Sequence, residues 1–180
     1  MKKRKQKTYV KCVRCGGCCR VPVVPITHKD LERLVEFTGM SPNEIVRFCP
    51  FSEMEYDPES NLWIRFRYGK HAMVLRKKAQ KCVFQTPAKS CSAYEARPQT
   101  CRTFPYSVDT DDSENVEINL NENVDCSAVP CSEAHVDVDA LLSDNLKETC
   151  EDEEYHNLVR RWNNSKNKGG TADFLKYIGF

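Results

Sequence analysis

The run Cys12-Val-Arg-Cys15-Gly-Gly-Cys18-Cys19 places four thiols within eight residues, and no other stretch constrains the chain so tightly. A two-residue gap lets one tight turn bring two thiolates to a single metal. Zinc–sulfur bonds of about 2.3 Å set tetrahedral sulfurs roughly 3.8 Å apart. Gly16 and Gly17 permit positive φ and a close approach of backbone N–H groups to sulfur. On an extended backbone the adjacent Cys18 and Cys19 point to opposite sides, so the pair is expected to serve two sites. A second site needs thiols from elsewhere. Cys82, Cys91 and Cys101 follow at intervals of nine and ten, and Cys126, Cys131 and Cys150 come later. Two sites of four ligands would use about eight of the 11 cysteines.

The gaps match no common template in full. A bacterial ferredoxin run separates its third and fourth cysteines by three residues, whereas here they are adjacent. Zinc ribbons need a second CxxC pair, and none is present; a CxxxCxxC run, a phosphate loop and a dinucleotide fingerprint are absent too. The basic start, Lys2 to Lys7, lacks the apolar stretch of a secretory signal, and no run approaches a membrane span. A cytoplasmic, reducing location is therefore expected, where 11 cysteines favour metal over disulfides. Leu, Ile, Val and Phe make up only about a fifth of the chain, near the compositional edge of disorder. Such a core usually needs staples. A net charge of +1 excludes disorder driven by self-repulsion and a wholly basic nucleic-acid binder.

Thr27 is expected to cap a helix that carries Leu31, Leu34 and Val35 and stops at Gly39. Ser41-Pro42-Asn43-Glu44 reads as a capping box opening a second helix through Ile45, Val46 and Phe48. Residues 61–68 alternate, with Leu62, Ile64, Phe66 and Tyr68 on one face and Trp63, Arg65 and Arg67 on the other. Gly69 then turns the chain into a partner strand from Ala72 to Leu75. Val116, Ile118 and Leu120 could form a third strand. A long helical pattern runs from about Asp137 to Trp162, with an acidic middle, Glu148 to Glu154, expected to be frayed or exposed. Residues 163–170 read as a linker before a short last helix with Phe174, Leu175 and Ile178. The fold class that follows is small α+β and metal-stabilised. It has short helices, a β-hairpin, irregular cysteine-bearing loops and a C-terminal helical extension. The expected divisions are a basic tail over 1–9, a cysteine-cluster domain over 10–130 and a mainly helical extension over 131–180.

Charge is segregated. Residues 60–94 hold eight basic side chains and no acidic one, and residues 103–146 hold 11 acidic side chains and no basic one. The plain expectation is two solvated faces that attract each other. The sharper one is a basic hairpin that offsets a metal–thiolate centre or receives an anionic partner. Neither block interleaves aromatic residues as a single-strand platform does, so nucleic acid is not expected.

Cys82-Val-Phe and Cys91-Ser-Ala-Tyr94-Glu-Ala-Arg97-Pro98-Gln-Thr-Cys101-Arg102-Thr-Phe104-Pro105, taken with the 12–19 run, resemble the CxxCxxCC family. These proteins are also called YkgJ-like cysteine-cluster proteins, and they are zinc- or iron-chelating domains. The resemblance spans about Val10 to Cys126. It implies a metal ligand set of Cys12, Cys15, Cys18, Cys19, Cys82, Cys91, Cys101 and Cys126. At the last of these, Ser127-Ala128 replaces the family's usual Pro-Gly. Arg97 and Arg102 flank Cys101, where guanidinium donors could hydrogen-bond thiolate or offset a negative cluster. A salt bridge to Glu95 or to the acidic block is the competing expectation. Tyr94, Phe104 and Tyr106 are expected to pack around the site. Cys49 is expected to be buried at a helix end, Cys131 and Cys150 to be bystanders, and the four histidines to be surface or core residues.

Two function classes stay open. One is a metal protein with an iron–sulfur or zinc centre and a redox role, working with an electron carrier or another protein partner. The other is a structural zinc protein that serves as an interaction module.

Overall fold

A computed structural model of the chain describes residues 10–11, 16–20, 23–110, 116–120, 129–130, 138–166 and 169–180. Strand β1 is Val10–Lys11. The Thr27 hydroxyl accepts from the Asp30 N–H at 3.1 Å, and the Asp30 carboxylate accepts from the Thr27 N–H at 3.0 Å. This reciprocal cap opens α1, His28–Thr38, which Gly39 closes in the left-handed region at φ 67°. Both devices satisfy backbone groups that a helix end leaves unpaired.

The second capping box also forms, with the Ser41 N–H donating to Glu44 at 2.9 Å, yet α2 is the single turn Pro42–Ile45. The expected continuation is instead β2, Val46–Pro50, so Cys49 is fully buried in a strand and not at a helix end. Five rungs against residues 71–75, with β-branched Val46 opposite Leu75, favour the extended form over one more helical turn. The expected hairpin is present as β3, Ile64–Phe66, and β4, Gly69–Leu75, and the sheet order is β2-β4-β3. Both faces of this sheet are covered. Met73 and Leu75 join the main core, while Ala72 and Val74 pack with Cys49 and Trp63 in a smaller cluster. Trp63, expected on the polar face, is thus buried, and its indole N–H donates to the Asp57 carbonyl at 2.7 Å.

Strands β5, Lys77–Lys78, and β6, Lys81–Cys82, lead to α3, Gln99–Thr103. The alternation at Val116, Ile118 and Leu120 forms a strand that does not extend the main sheet. β7, Tyr106–Thr110, and β8, Val116–Leu120, make a separate hairpin. β9, Val129–Pro130, pairs with β1.

Helix α4, Val138–Asn164, runs unbroken through the acidic stretch expected to be frayed or exposed; Glu153 and Glu154 are exposed there, but Glu151 is buried. Arg33 explains this, because its guanidinium donates to both Glu151 carboxylate oxygens at 2.6 and 2.9 Å. Such a two-pronged, charge-assisted contact fixes both partners. The open edge of β3 would otherwise present unpaired N–H and C=O groups. Asn163, at the end of α4, meets that edge, accepting from the Arg65 N–H at 2.7 Å and donating to the Trp63 carbonyl at 2.8 Å. The last helix, α5, is Thr171–Tyr177, and its Phe174 ring meets Trp162 edge-on at 5.3 Å. Tyr155, Val159, Trp162, Phe174 and Leu175 share one core with α1 and the sheet. The architecture is small α+β. Among the described residues, no helix is long and apolar enough to cross a membrane.

Candidate metal centre

The second cysteine block reaches its place through turns. Strands β5 and β6 are joined by Ala79 and Gln80, both at positive φ, 49° and 62°. Two-residue hairpin loops take this form because it matches the twist of the flanking strands. Phe84 anchors the next stretch in the core, and the chain folds back so that Gln85 bridges to Cys91 and the Ser92 N–H donates to the Phe84 carbonyl at 2.8 Å. Pro98 starts α3, as expected from its fixed φ, and sets Cys101 in its first turn. Asp30 holds that turn. One carboxylate oxygen accepts from the Gln99 N–H at 3.0 Å and from Arg33 at 2.5 Å.

Cys18, Cys19, Cys82, Cys91 and Cys101 line one pocket of about 140 Å3, walled by Val24, Leu75, Phe84 and Pro98. Cys18 and Cys19 therefore do not diverge to separate places. They sit in the 3-10 turn Cys18–Arg20, not on the extended backbone assumed from sequence. In such a turn neighbouring side chains are about 120° apart. Gly16 takes φ 73°, its carbonyl accepts from the Gln85 side-chain N–H at 3.2 Å, and a Cβ there would collide with that amide. Gly17, by contrast, is not at positive φ.

The hydrogen bond from Cys19 draws the Cys18 thiol down to about 6, while the same contact and burial push Cys19 up. Burial raises Cys82, Cys91 and Cys101, each further raised by neighbouring cysteines or, for Cys91, by Cys18. Cys82, Cys91 and Cys101, unlike Cys18, thus resist ionisation unless a cation joins them. Arg97 lines the pocket, with its guanidinium carbon 4.1 Å from the centre of the Tyr94 ring, and it favours the thiolates of Cys18 and Cys91. Arg102 is placed differently. It donates to the Arg97 carbonyl at 3.2 Å and to the Glu95 carbonyl, and it is absent from the pocket lining, so it clamps the loop.

Sequence reasoning singled out neither of two residues that bear on the site. Lys77 donates to the Cys19 carbonyl at 3.3 Å and lies near Cys82 and Cys101, and burial lowers its pKa. It is hidden in a basic block where every lysine looks alike. Asp30 reads from the sequence only as a cap. Tyr94 lines the pocket; Phe104 and Tyr106 do not. Cys49 lies apart in the small cluster, and Cys150 is exposed on α4. No described histidine lines the pocket. Cys12, Cys15, Cys126 and Cys131 lie outside the described residues. Among the described residues, no ion pair joins the basic block to the acidic one.

The five thiols, with no carboxylate or imidazole among the described residues of the lining, form a soft donor set suited to zinc or iron. Among the described residues no three possible ligands are drawn together tightly enough to hold an ion unaided.

A thiol-lined pocket on a small α+β frame defines a cysteine-cluster metal protein. Residues 11–151 match the CxxCxxCC family model, whose description is "Putative zinc- or iron-chelating domain", and the chain belongs to this family. The match reaches into α4, beyond the second cysteine block. One relative, "Uncharacterized protein MJ0661" of Methanocaldococcus jannaschii, is 31% identical over 98 residues, which is 54% of this chain and 44% of that protein. The chain thus spans less than half of that relative's length. No solved structure matches the chain.

Proposed function

We propose that the zinc or iron this family chelates is held here by Cys12, Cys15, Cys18, Cys19, Cys82, Cys91, Cys101 and Cys126, as a polynuclear, iron–sulfur-type centre that transfers electrons. One observation carries this reading. Five thiols already share one pocket, which is more than a single tetrahedral zinc can use. Such a centre would supply reversible one-electron chemistry. The chain's own residues would bind it and tune it. Arg97 and Lys77 offset thiolate charge, and Phe84, Leu75 and Pro98 exclude water from the sulfurs. An electron carrier would then be the partner.

A structural zinc staple is the second reading. It is favoured by the way the pocket ties the 3-10 turn, β6 and α3 together with few ladder bonds. Anaerobic purification with elemental analysis, acid-labile sulfide and EPR spectra separates the two. Iron with sulfide and a reversible potential supports the first, and stoichiometric zinc without sulfide supports the second. Cys101→Ser should lower metal content under either. Full metal content in both Cys101→Ser and Cys82→Ser would refute the ligand set.

A further inference from the structure

A second cavity, of about 310 Å3, shares no residue with the cysteine pocket. It lies between the start of α1, the loop from Tyr56 to Leu62, the first turn of α3 and the middle of α4. Four carboxylates line it: Asp30, Glu148, Glu151 and Asp152. Two of them are matched, since Arg33 lies 2.5 Å from Asp30 and 2.6 Å from Glu151, with Lys147 a further 3.9 Å from Glu151. The other two are not. Glu148 meets the hydroxyls of Thr103, at 3.3 Å, and Thr100, and among the described residues no Lys or Arg pairs with Glu148 or Asp152. These two carboxylates stand four residues apart on one helix face, where like charges repel. Burial and this repulsion raise Glu148 to about 7, and burial with Asp30 raises Asp152 to about 6.

A separate observation points to a ligand. Among the described residues the buried Tyr155 hydroxyl and Gln99 side-chain oxygen have no hydrogen-bond partner, and both side chains line the cavity at 4% and 2% exposure. A buried polar atom left without a partner is destabilising, so each invites one. All four groups can accept a hydrogen bond: two carboxylates without a matching cation among the described residues, an amide oxygen and a phenol oxygen. The complementary group is a pure donor that carries positive charge, and an ammonium is one, with three donors and no acceptor. A metal ion fits less well, because among the described residues no three His, Cys, Asp or Glu side chains converge as ligands. The remaining wall, Ile26, Leu62 and Met73, is apolar and suits a hydrocarbon body. The volume lies at the small end of ligand pockets, which run from about 300 to 1,000 Å3.

We propose that this cavity binds a small aliphatic primary amine. Its ammonium sits between Glu148 and Asp152 with Gln99 and Tyr155 as neutral acceptors, and its chain lies on Ile26, Leu62 and Met73.

The test is calorimetric titration of the full, metal-loaded chain at pH 8 with n-butylamine and 1,4-diaminobutane, with n-butanol and Mg2+ as comparisons. The amines are expected to bind saturably and n-butanol not at all. Glu148→Gln and Asp152→Asn should each weaken amine binding about tenfold, the usual scale for losing a charge-assisted hydrogen bond. Both variants should melt no lower than the parent, because each removes a repulsion, so weaker binding would not reflect unfolding. Glu59→Gln, an exposed side chain that does not line the cavity, should leave affinity unchanged. Absence of saturable binding by either amine overturns the proposal. Unaltered affinity in both cavity variants also does, as does Mg2+ displacing the amine at lower concentration, which would make the site one for a hard cation.

Discussion

Leu34, Ile64 and Phe174 are fully buried where α1, the three-stranded sheet and α5 meet, whereas residues 76–103 have only two-residue strands and a five-residue helix and leave Cys82 and Cys91 partly exposed. The first region has the apolar contact to order itself. The second depends on turns. Its non-glycine residues Ala79, Gln80 and Lys89 stand at positive φ. Holding a residue with a Cβ in that region costs roughly 1–3 kcal/mol. The two regions still interlock. Phe84, Ala93 and Ala96 belong to the apolar core, while the neighbouring Cys82, Cys91 and Arg97 face the pocket.

The contrast can be broken most sharply at Phe174. Phe174→Ala should cost about 3–5 kcal/mol in denaturant unfolding while the folded fraction keeps its metal. Metal lost with stability retained would reverse the contrast. Arg33→Met comes next, at about 2–4 kcal/mol, because Asp30 and Glu151 would lose their guanidinium in a half-buried site. Asp30 also holds the turn bearing Cys101, so this variant should lose metal to a chelator faster; an unchanged rate would show that the regions are more independent than their contacts suggest.

Gly16→Ala should act on the thiol region alone. A Cβ there meets the left-handed backbone and displaces the Gln85 amide. The strain, about 1–3 kcal/mol, should appear as faster metal loss with little change in global unfolding. Equal losses in both measurements would show that the thiol region does not stand apart.

The smallest effect concerns pH. The Glu148 carboxyl is raised from 4.5 to about 7, so its protonated form favours the native state. The stability it lends is complete below 4.5 and declines as pH climbs through about 7. Glu148→Gln should remove that decline. The gain above pH 7 should be about 1 kcal/mol, a figure reduced because the side chain is partly exposed. Identical pH slopes for parent and variant in denaturant titrations would refute it.

The caps at Thr27 and Ser41, the stop at Gly39 and the hairpin around Gly69 were legible because each depends on residues within a few positions. The fate of Val46–Pro50 was not, since its partner strand, β4, lies well along the chain and decides it. The burial of Glu151 in the acidic middle of α4 was hidden for a similar reason. Its counter-ion, Arg33, lies 118 residues away from Glu151. In the site, Cys82, Cys91 and Cys101 were legible as a group from their motif, but the local geometry of Cys18 and Cys19 was not, because a 3-10 turn stands where an extended backbone was expected.

The sequence by itself determined the donor chemistry, the family and the local punctuation of the helices, because side-chain type and short-range hydrogen bonds need no distant partner. Only the tertiary structure decided that five cysteines meet in one pocket, that Arg97 faces it while Arg102 clamps a loop, and that Glu148 and Asp152 share a cavity where no described Lys or Arg pairs with them. Those relations depend on distance through space, and spacing along a chain does not set that distance until the core beneath it has packed.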